Sequence, residues 1–135
     1  YLFLWTTNSM LPEAFGILEA WGFKYVQTIT WCKSHGLGRP PYTATEHIIM
    51  ARRGQPSRSH ATKALTTLAG GHGVWIQEKR VLKWFQTFTK LRHSEKPNES
   101  YDVIESLSPG PYVELFSRKK REGWDAWGKQ LATLS

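Results

Sequence analysis

The sequence contains a single cysteine, Cys32, among its 135 residues. One cysteine cannot form an internal disulfide, and the five histidines show none of the spacings that zinc ligands adopt. These absences exclude a disulfide-stapled domain and a structural zinc finger. A chain of this kind is typical of the reducing cytoplasm.

Long apolar runs are also missing. No stretch approaches the roughly 20 consecutive apolar residues that a membrane-spanning helix needs, so no membrane partner is predicted. The opening residues, YLFLWT, have neither the basic segment nor the cleavage site of a signal peptide. They also have no initiator Met and begin inside a strand-like run, which indicates a chain whose N-terminal part is missing.

Acidic residues are few, with 11 Asp and Glu against 18 Lys and Arg, which gives a formal net charge of +7. Such an excess of positive charge favours polyanions, most simply nucleic acid, through the release of counterions. A basic surface that is merely solvated accounts for the charge equally well.

The spacing of apolar residues predicts alternating strands and helices. The strands are expected over 1–6, 24–32, 46–52 and 111–117, and the helices over 10–21 and from the SEKPNES segment onward. Pro12 and Pro97 are expected in the first turns of the helices, and Gly22 is expected to end the first one. The continuous apolar run 1–6 is typical of a strand covered on both faces. The alternation predicts an α/β fold with a largely parallel sheet.

The middle of the chain has a weaker pattern. Residues 34–45 are expected to form a turn-rich loop, and 55–93 an atypical insertion or divergent segment. Within that segment we expect a weak helix over 61–68, a glycine-rich hinge over 69–73 and an imperfect amphipathic helix over 74–91. The last of these is basic and aromatic, so contact with nucleic acid is the alternative to simple packing.

Chemistry is expected where the strand 111–117 ends. In open α/β sheets ligands bind beyond the carboxyl ends of strands, and Glu114 and Arg118 fall there. A carboxylate accepts hydrogen bonds from ribose hydroxyls, and a guanidinium holds a carboxylate with two hydrogen bonds. A nucleoside that carries an amino-acid tail needs both groups. A surface ion pair that involves Glu114 is the alternative.

Four blocks of the sequence carry a resemblance to a known family. They are LFLWTTNSMLPEAFGILEAWGFKYVQTITWCK, EHIIMARRGQP, HSEKPNESYDVIESLSPGPYVELFSR and GWDAWGKQ. The chain is similar in these blocks to the MT-A-type N(6)-adenine methyltransferases. That family includes the catalytic subunit of the eukaryotic mRNA adenosine methyltransferase and many bacterial and phage DNA-modifying enzymes.

The resemblance implies a Rossmann-like class I methyltransferase fold, three layers α/β/α, in which residues 1–135 form one domain that is incomplete at its N-terminus. It implies S-adenosylmethionine as the cofactor. The cofactor-binding residues that it implies are Ser94, Lys96, Glu114, Leu115, Phe116, Arg118, Gly128, Lys129 and Gln130. Lys129 stands where the family pattern has Asn. No metal is expected, because the methyl donor brings the reactive chemistry.

The substrate side is expected to involve a second group of residues. Glu46 and His47 match a family element on that side, and the positive charge predicts contacts from nearby cations. These cations are Lys33, Arg39, Arg52 and Arg53, with Lys79, Arg80 and Lys83 as further candidates.

The catalytic Asp-Pro-Pro-Trp signature of the family is absent from the chain. The stretch from Arg39 to Tyr42, RPPY, imitates it only superficially, because a guanidinium has no lone pair with which to orient an amine. The catalytic motif is therefore expected upstream of Tyr1, and the 135 residues alone are expected to be inactive.

Two functions follow from this interpretation. The first is the cofactor-binding, C-terminal portion of an adenine-N(6) methyltransferase that acts on flipped-out adenine in DNA, in the cytoplasm of a bacterium or of a phage-infected cell. The second is a catalytically silent nucleic-acid-binding subunit. RNA is the alternative substrate, and both a homodimer and a heterodimer are compatible with the sequence.

Overall fold

The computed structural model of the chain describes residues 1–37, 43–57, 84–87, 95–129 and 131. The strands are β1 (Leu2–Thr7), β2 (Lys24–Leu37), β3 (Thr43–Arg52), β4 (Trp84–Thr87), β5 (Tyr112–Leu115) and β6 (Trp124–Trp127), and the helices are α1 (Leu11–Ala20) and α2 (Glu99–Leu107). The described residues thus form a mixed α/β structure.

The larger sheet has the strand order β1-β3-β2-β4, and β5 and β6 form a separate parallel pair. Strand β3 is antiparallel to both β1 and β2, whereas β4 is parallel to β2. The predicted largely parallel sheet is therefore wrong for these strands. Only residues 38–42 separate β2 from β3, and a parallel return needs a crossover of a dozen or more residues. The short connection forces the chain to turn back antiparallel.

Both predicted helices are present, and their ends follow the sequence signals. Helix α1 has Pro12 in its first turn and ends before Gly22, whose φ of 72° is in the left-handed region that glycine favours. The amide of Phe23 closes this end by donating to the carbonyl of Leu18 at 2.8 Å. Helix α2 differs slightly from the prediction: Pro97 lies just before the helix, where its carbonyl accepts a hydrogen bond of 2.6 Å from the Ser100 hydroxyl.

A helix covers each face of the larger sheet. The core on one face contains Ala14, Leu18, Ile49 and Ala51, with Leu2 and Leu4 of β1 packed against it. The core on the other face contains Ile29, Trp31, Ile48 and Val103, with Phe3 and Trp5 of β1 packed against it. Alternate residues of β1 therefore pack into opposite cores, which explains the unbroken apolar run at 1–6.

Several predicted boundaries are wrong. Strands β2 and β3 continue into the predicted loop 34–45, because the two strands remain paired as far as Leu37 on β2 and Thr43 on β3. Strand β4 lies inside the predicted helix 74–91, where pairing with β2 outweighs an imperfect helical pattern. Strand β6 lies beyond the last predicted element, the strand 111–117, and was not predicted. The predicted helix 61–68 and hinge 69–73 lie outside the described residues.

We expect Ile48→Ala to lower the free energy of unfolding by about 2–5 kcal/mol, because the side chain is fully buried between the sheet and α2. Urea denaturation measures the change. Ile17→Ala on the exposed side of α1, where the side chain is 38% accessible, is the matched control and should cost well under about 1 kcal/mol. Equal losses in the two variants would contradict the packing described above.

Candidate functional site

A cleft of about 1320 Å³ lies between β1 and β5. Consecutive residues of both strands line it, because within the described chain β1 pairs only with β3 and β5 only with β6. The predicted cofactor residues that line it are Lys96, Glu114, Leu115, Phe116 and Arg118. The fold thus brings together residues from two segments that lie well apart in the sequence.

Glu114 is half-buried at the end of β5, and one of its carboxylate oxygens is held by two hydroxyl groups. Tyr101 of α2 donates to Oε2 at 2.9 Å, and Ser117 lies 2.8 Å from the same atom. No hydrogen bond from a described residue reaches Oε1. The carboxylate is therefore anchored through one oxygen and keeps the other for a ligand.

The chain leaves β5 through a sharp turn that exposes apolar side chains to the cleft. Phe116 has a φ of 63°, uncommon for a bulky residue, and its ring is 77% accessible. The ring of Trp127 meets it edge-on at a centroid distance of 5.9 Å and is itself 64% accessible. Phe116 lines the cleft, and an exposed aromatic ring there suits a planar ligand.

Gly128 keeps this turn closed. The amide of Ser117 donates to the carbonyl of Trp127 at 3.0 Å, which brings the turn against the end of β6. A Cβ atom at Gly128 would lie 2.2 Å from the Ser117 carbonyl oxygen, so a side chain does not fit there without moving the backbone. Gly128 therefore supports the site through packing and, in this structure, does not line the cleft.

A compact charged cluster lies at the carboxyl end of β1 and beside the middle of β2. The Glu46 carboxylate pairs with two ammonium groups: Lys33 at 2.5 Å through Oε1, and Lys96 through Oε2. Each ammonium group also lies over an indole ring, Lys33 over Trp31 at 5.2 Å and Lys96 over Trp5 at 4.9 Å. Of the three charged side chains, Lys96 is the one that lines the cleft, so Glu46 and Lys33 support it from behind.

The protonation of Glu46 depends on these two lysines. Burial by itself disfavours the ionised carboxylate, since only 9% of the residue is accessible. The hydrogen bonds and positive charges of Lys33 and Lys96 outweigh that effect, and the net result is a pKa of Glu46 below its usual value. The cluster as a whole carries one net positive charge at neutral pH.

His47 lies on the opposite face of the sheet, in a network of its own. Its Nε2 donates to Oδ1 of Asn8 at 2.7 Å, and its Nδ1 accepts from the Thr30 hydroxyl at 3.1 Å. Asn8 in turn donates to the carbonyl of Thr45 at 3.2 Å. Burial lowers the pKa of His47, against an opposing effect of the Glu46 charge, so the ring is neutral at pH 7. This network joins the turn after β1 to β3.

The remaining predicted residues are dispersed. Arg52 and Arg53 lie at the other end of β3 from Glu46, where Arg52 donates to Gln55 at 3.0 Å and Arg53 lies over the ring of Phe23 at 5.0 Å. Lys129 is exposed after β6. The predicted residues that lie outside the described part of the chain are Ser94, Arg39, Lys79, Arg80, Lys83 and Gln130.

Three side chains that take part in the site were not predicted as site residues. Tyr101 is predicted only as an apolar residue of α2, Ser117 has no assigned role, and Trp5 is predicted only as a core residue. Each of them contacts a charged side chain of the site: Tyr101 and Ser117 contact Glu114, and Trp5 contacts Lys96. A polar tip on the packing face of α2 is the one signal that could have singled out Tyr101.

Other kinds of site find no support in the described residues. No group of three or more His, Cys, Asp or Glu side chains there could hold a metal ion, and no helix there is long and apolar enough to cross a membrane. Burial raises the pKa of the Cys32 thiol, which keeps it protonated and unreactive at neutral pH.

We expect the Glu46 cluster to make stability depend on pH below the normal range of a carboxyl group. Since the folded pKa lies below the unfolded value of 4.5, the contribution is complete above about pH 4.5 and is lost as the pH falls through the folded pKa. Urea denaturation between pH 6 and pH 3 measures it. Glu46→Gln should be less stable than the wild type at pH 6, and the difference should shrink on acidification. A difference that stays constant with pH would contradict the paired cluster.

Comparison with known proteins is consistent with this geometry. Residues 1–130 match the MT-A70 family. The chain is 28% identical over 133 residues to the type II methyltransferase M.MunI of Mycoplasma sp, covering 96% of this chain and 50% of that protein. It is 30% identical over 143 residues to a putative N(6)-adenosine-methyltransferase MT-A70-like protein of Medicago truncatula, covering 97% of this chain and 20% of the relative. The human catalytic subunit METTL3 is 28% identical over 143 residues, with 97% and 22% covered.

The chain spans half or less of the length of these three relatives. Their names describe methyltransferases, and MT-A70 methyltransferases take their methyl group from S-adenosylmethionine. The match extends over nearly the whole sequence, including all four blocks on which the resemblance rested. The chain therefore belongs to the MT-A70 family of N(6)-adenine methyltransferases.

Proposed function

We propose that this chain forms the cofactor-binding portion of a methyltransferase that transfers a methyl group from S-adenosylmethionine to the N6 amine of adenine in DNA. The portion belongs to a Rossmann-like class I fold. A helix on each face of the sheet and a cleft in which Glu114 and Arg118 lie at the carboxyl end of β5 support that fold. The antiparallel β3 between β1 and β2 is compatible with it.

The observation that carries the proposal is the meeting of Lys96, Glu114 and Arg118 in one cleft. Their chemistry fits the parts of S-adenosylmethionine. Oε1 of Glu114 accepts hydrogen bonds from the ribose hydroxyls, and the exposed ring of Phe116 offers a face to the adenine. The two cations suit the carboxylate of the amino-acid tail. When bound, the cofactor supplies an electrophilic methyl group.

The cleft is larger than the roughly 300–1,000 Å³ of a typical small-molecule site. It therefore has room for a flipped adenine beside the cofactor. Lys96, held rigidly by Glu46 and Trp5, is the residue of this chain that we place between the two ligands. Rigid placement matters because the orientation of the reacting groups supplies much of the rate of such a transfer.

The acid group that orients the target amine is not among the residues of this chain, since the sequence has no Asp-Pro-Pro-Trp. We place it in a segment of the complete protein that reaches β1, which lines the cleft and has β3 as its one partner strand among the described residues. The same absence favours the second candidate function, a subunit that binds nucleic acid and supports an active partner without catalysing transfer itself.

DNA is the substrate that we favour over RNA, because the resemblance in the GWDAWG block points to the prokaryotic and phage members. The names of the relatives leave both substrates open: one is a type II methyltransferase, and the others are adenosine methyltransferases. The net charge of +7 suits either nucleic acid.

We expect S-adenosylhomocysteine to bind the folded chain, and both Lys96→Ala and Arg118→Ala to weaken it by about tenfold, because each removes a charge-assisted contact with the ligand. Isothermal titration calorimetry measures the affinity. Lys120→Ala, which removes an exposed lysine from the same basic turn, is the matched control and should bind like the wild type. Unchanged affinity in both cleft variants would show that the site is assigned wrongly, provided that circular dichroism shows them folded.

We expect the substitution of Arg52 and Arg53 by Ala to weaken binding to duplex DNA and to flatten the dependence of log affinity on log salt by up to about two units, because each phosphate contact contributes about 0.9 to that slope. A fluorescence-anisotropy titration at several salt concentrations measures it. The control is the double replacement by Lys, which keeps both charges and should keep the slope. Identical slopes for all three proteins would place the DNA surface elsewhere.

A further inference from the structure

Two hydroxyl groups, those of Ser117 and Tyr101, contact Glu114, and they differ in the number of acceptors that each one reaches. The Ser117 hydroxyl lies 2.8 Å from Oε2 of Glu114 and 2.7 Å from the carbonyl oxygen of Lys119, and it has a single proton to donate. It can satisfy only one of these acceptors at a time. The Tyr101 hydroxyl, 2.9 Å from the same Oε2, has Glu114 as its acceptor. Tyr101 is therefore the constant hydrogen-bond donor to this carboxylate.

The ring of Tyr101 cannot move away from Glu114, because it is fixed on two sides. The indole of Trp124 meets it edge-on at 5.1 Å with an interplanar angle of 84°, and the guanidinium of Arg121 lies over it at 4.7 Å. Arg121 is held in turn by ion pairs with Asp102 at 3.1 Å and Glu105 at 3.3 Å. Only 8% of the residue is accessible. The position of the hydroxyl is thus set by packing on α2 and β6.

The ionisation state of Tyr101 supports the same role. Burial, and then the hydrogen bond and charge of Glu114, raise its pKa to about 12. The hydroxyl therefore keeps its proton, and remains a donor, throughout the neutral range.

Docking of α2 against β5 and β6 does not need this hydrogen bond. The Trp124 indole donates to Oε1 of Glu105 at 2.7 Å, and the ring of Tyr112 stacks on the indole at 4.6 Å. The two ion pairs of Arg121 add to the same contact. What the Tyr101 hydroxyl adds is specific to Glu114: it occupies Oε2 and fixes the plane of the carboxylate.

We propose that Tyr101 is a positioning residue of the ribose site, which holds Oε2 of Glu114 so that Oε1 alone faces the cleft and accepts the two ribose hydroxyls of the cofactor. The inference rests on the proposed function, since it assumes that a nucleoside binds in this cleft. Tyr101 is itself part of the cleft wall, and the role assigned to its hydroxyl is exerted through Glu114. A single oxygen with two lone pairs matches a 2′,3′-diol, whose hydroxyls lie on adjacent carbons.

Affinity for S-adenosylhomocysteine, measured by calorimetry in a double-mutant cycle, tests the inference. Tyr101→Phe should weaken binding by about fivefold to tenfold, as expected when a carboxylate loses one fixed donor. Glu114→Gln should weaken it at least as much. The double variant should bind no more weakly than Glu114→Gln alone, because Tyr101 acts through Glu114. Additive losses would overturn the inference.

The matched control is Glu105→Gln. Glu105 accepts hydrogen bonds from Trp124 at 2.7 Å and from Arg121 at 3.3 Å, which hold the same aromatic cluster, and it neither contacts Glu114 nor lines the cleft. This variant should bind S-adenosylhomocysteine like the wild type. If it weakens binding as much as Tyr101→Phe does, the effect comes from general loosening of the cluster and the inference is wrong.

A comparison of adenosine with 2′,3′-dideoxyadenosine, also by calorimetry, separates positioning from structural support. The wild type should prefer adenosine, and Tyr101→Phe should narrow that preference while leaving the affinity for the dideoxy compound unchanged. Loss of affinity for both compounds by the same factor would overturn the positioning role. If the wild type binds neither S-adenosylhomocysteine nor adenosine, the proposed function fails, and this inference fails with it.

Nuclear magnetic resonance tests the hydrogen bond between Tyr101 and Glu114 in the absence of any ligand. The hydroxyl proton of Tyr101 should be protected from exchange and visible in the wild type at neutral pH, and it should disappear in Glu114→Ala, which removes the acceptor. If the resonance is unaffected by that substitution, Tyr101 donates to another acceptor in solution and the inference is overturned.

Discussion

The site depends first on where β3 lies in the sheet. Because β3 runs antiparallel between β1 and β2, Glu46 lies beside Thr7 at the carboxyl end of β1 and beside Trp31 on β2. A carboxylate in that place can reach Lys33 on β2 and Lys96 ahead of α2. Without this one antiparallel strand, the lysine that faces the cleft would have no partner to hold it.

Two charged side chains of opposite sign, Lys96 and Glu114, line the cleft, and each is held in place by a second, buried side chain. At one end a buried carboxylate fixes a cation, Lys96, and at the other a buried hydroxyl fixes an anion, Glu114. Each charged group also rests near aromatic rings that exclude water: Lys96 lies over Trp5, and the Tyr101 that holds Glu114 packs on Trp124. Groups fixed in this way need little reorganisation when a ligand binds, which preserves affinity.

Much of the architecture follows from local patterns in the sequence. The ends of α1 could be predicted from the sequence because Pro12 and Gly22 act through their own backbone geometry. Strand β1 could be predicted because residues 1–5 are all apolar. The resemblance to the MT-A70 family could be recognised because the four blocks occur in the order that the family has. The family match over residues 1–130 confirms it. Strand β6 was not predicted, because the four residues WDAW follow a basic turn and are too few to show a clear strand pattern.

What the sequence by itself determined is the two helices, most of the strands and the family, since these depend on residues that are close together in the chain. What only the tertiary structure decided is which side chains meet. The antiparallel placement of β3, the bridging of two lysines by Glu46 and the hold of Tyr101 on Glu114 join residues 13 to 50 positions apart. No local pattern encodes those pairs, because they are fixed by strand register and by the packing of α2 across the sheet.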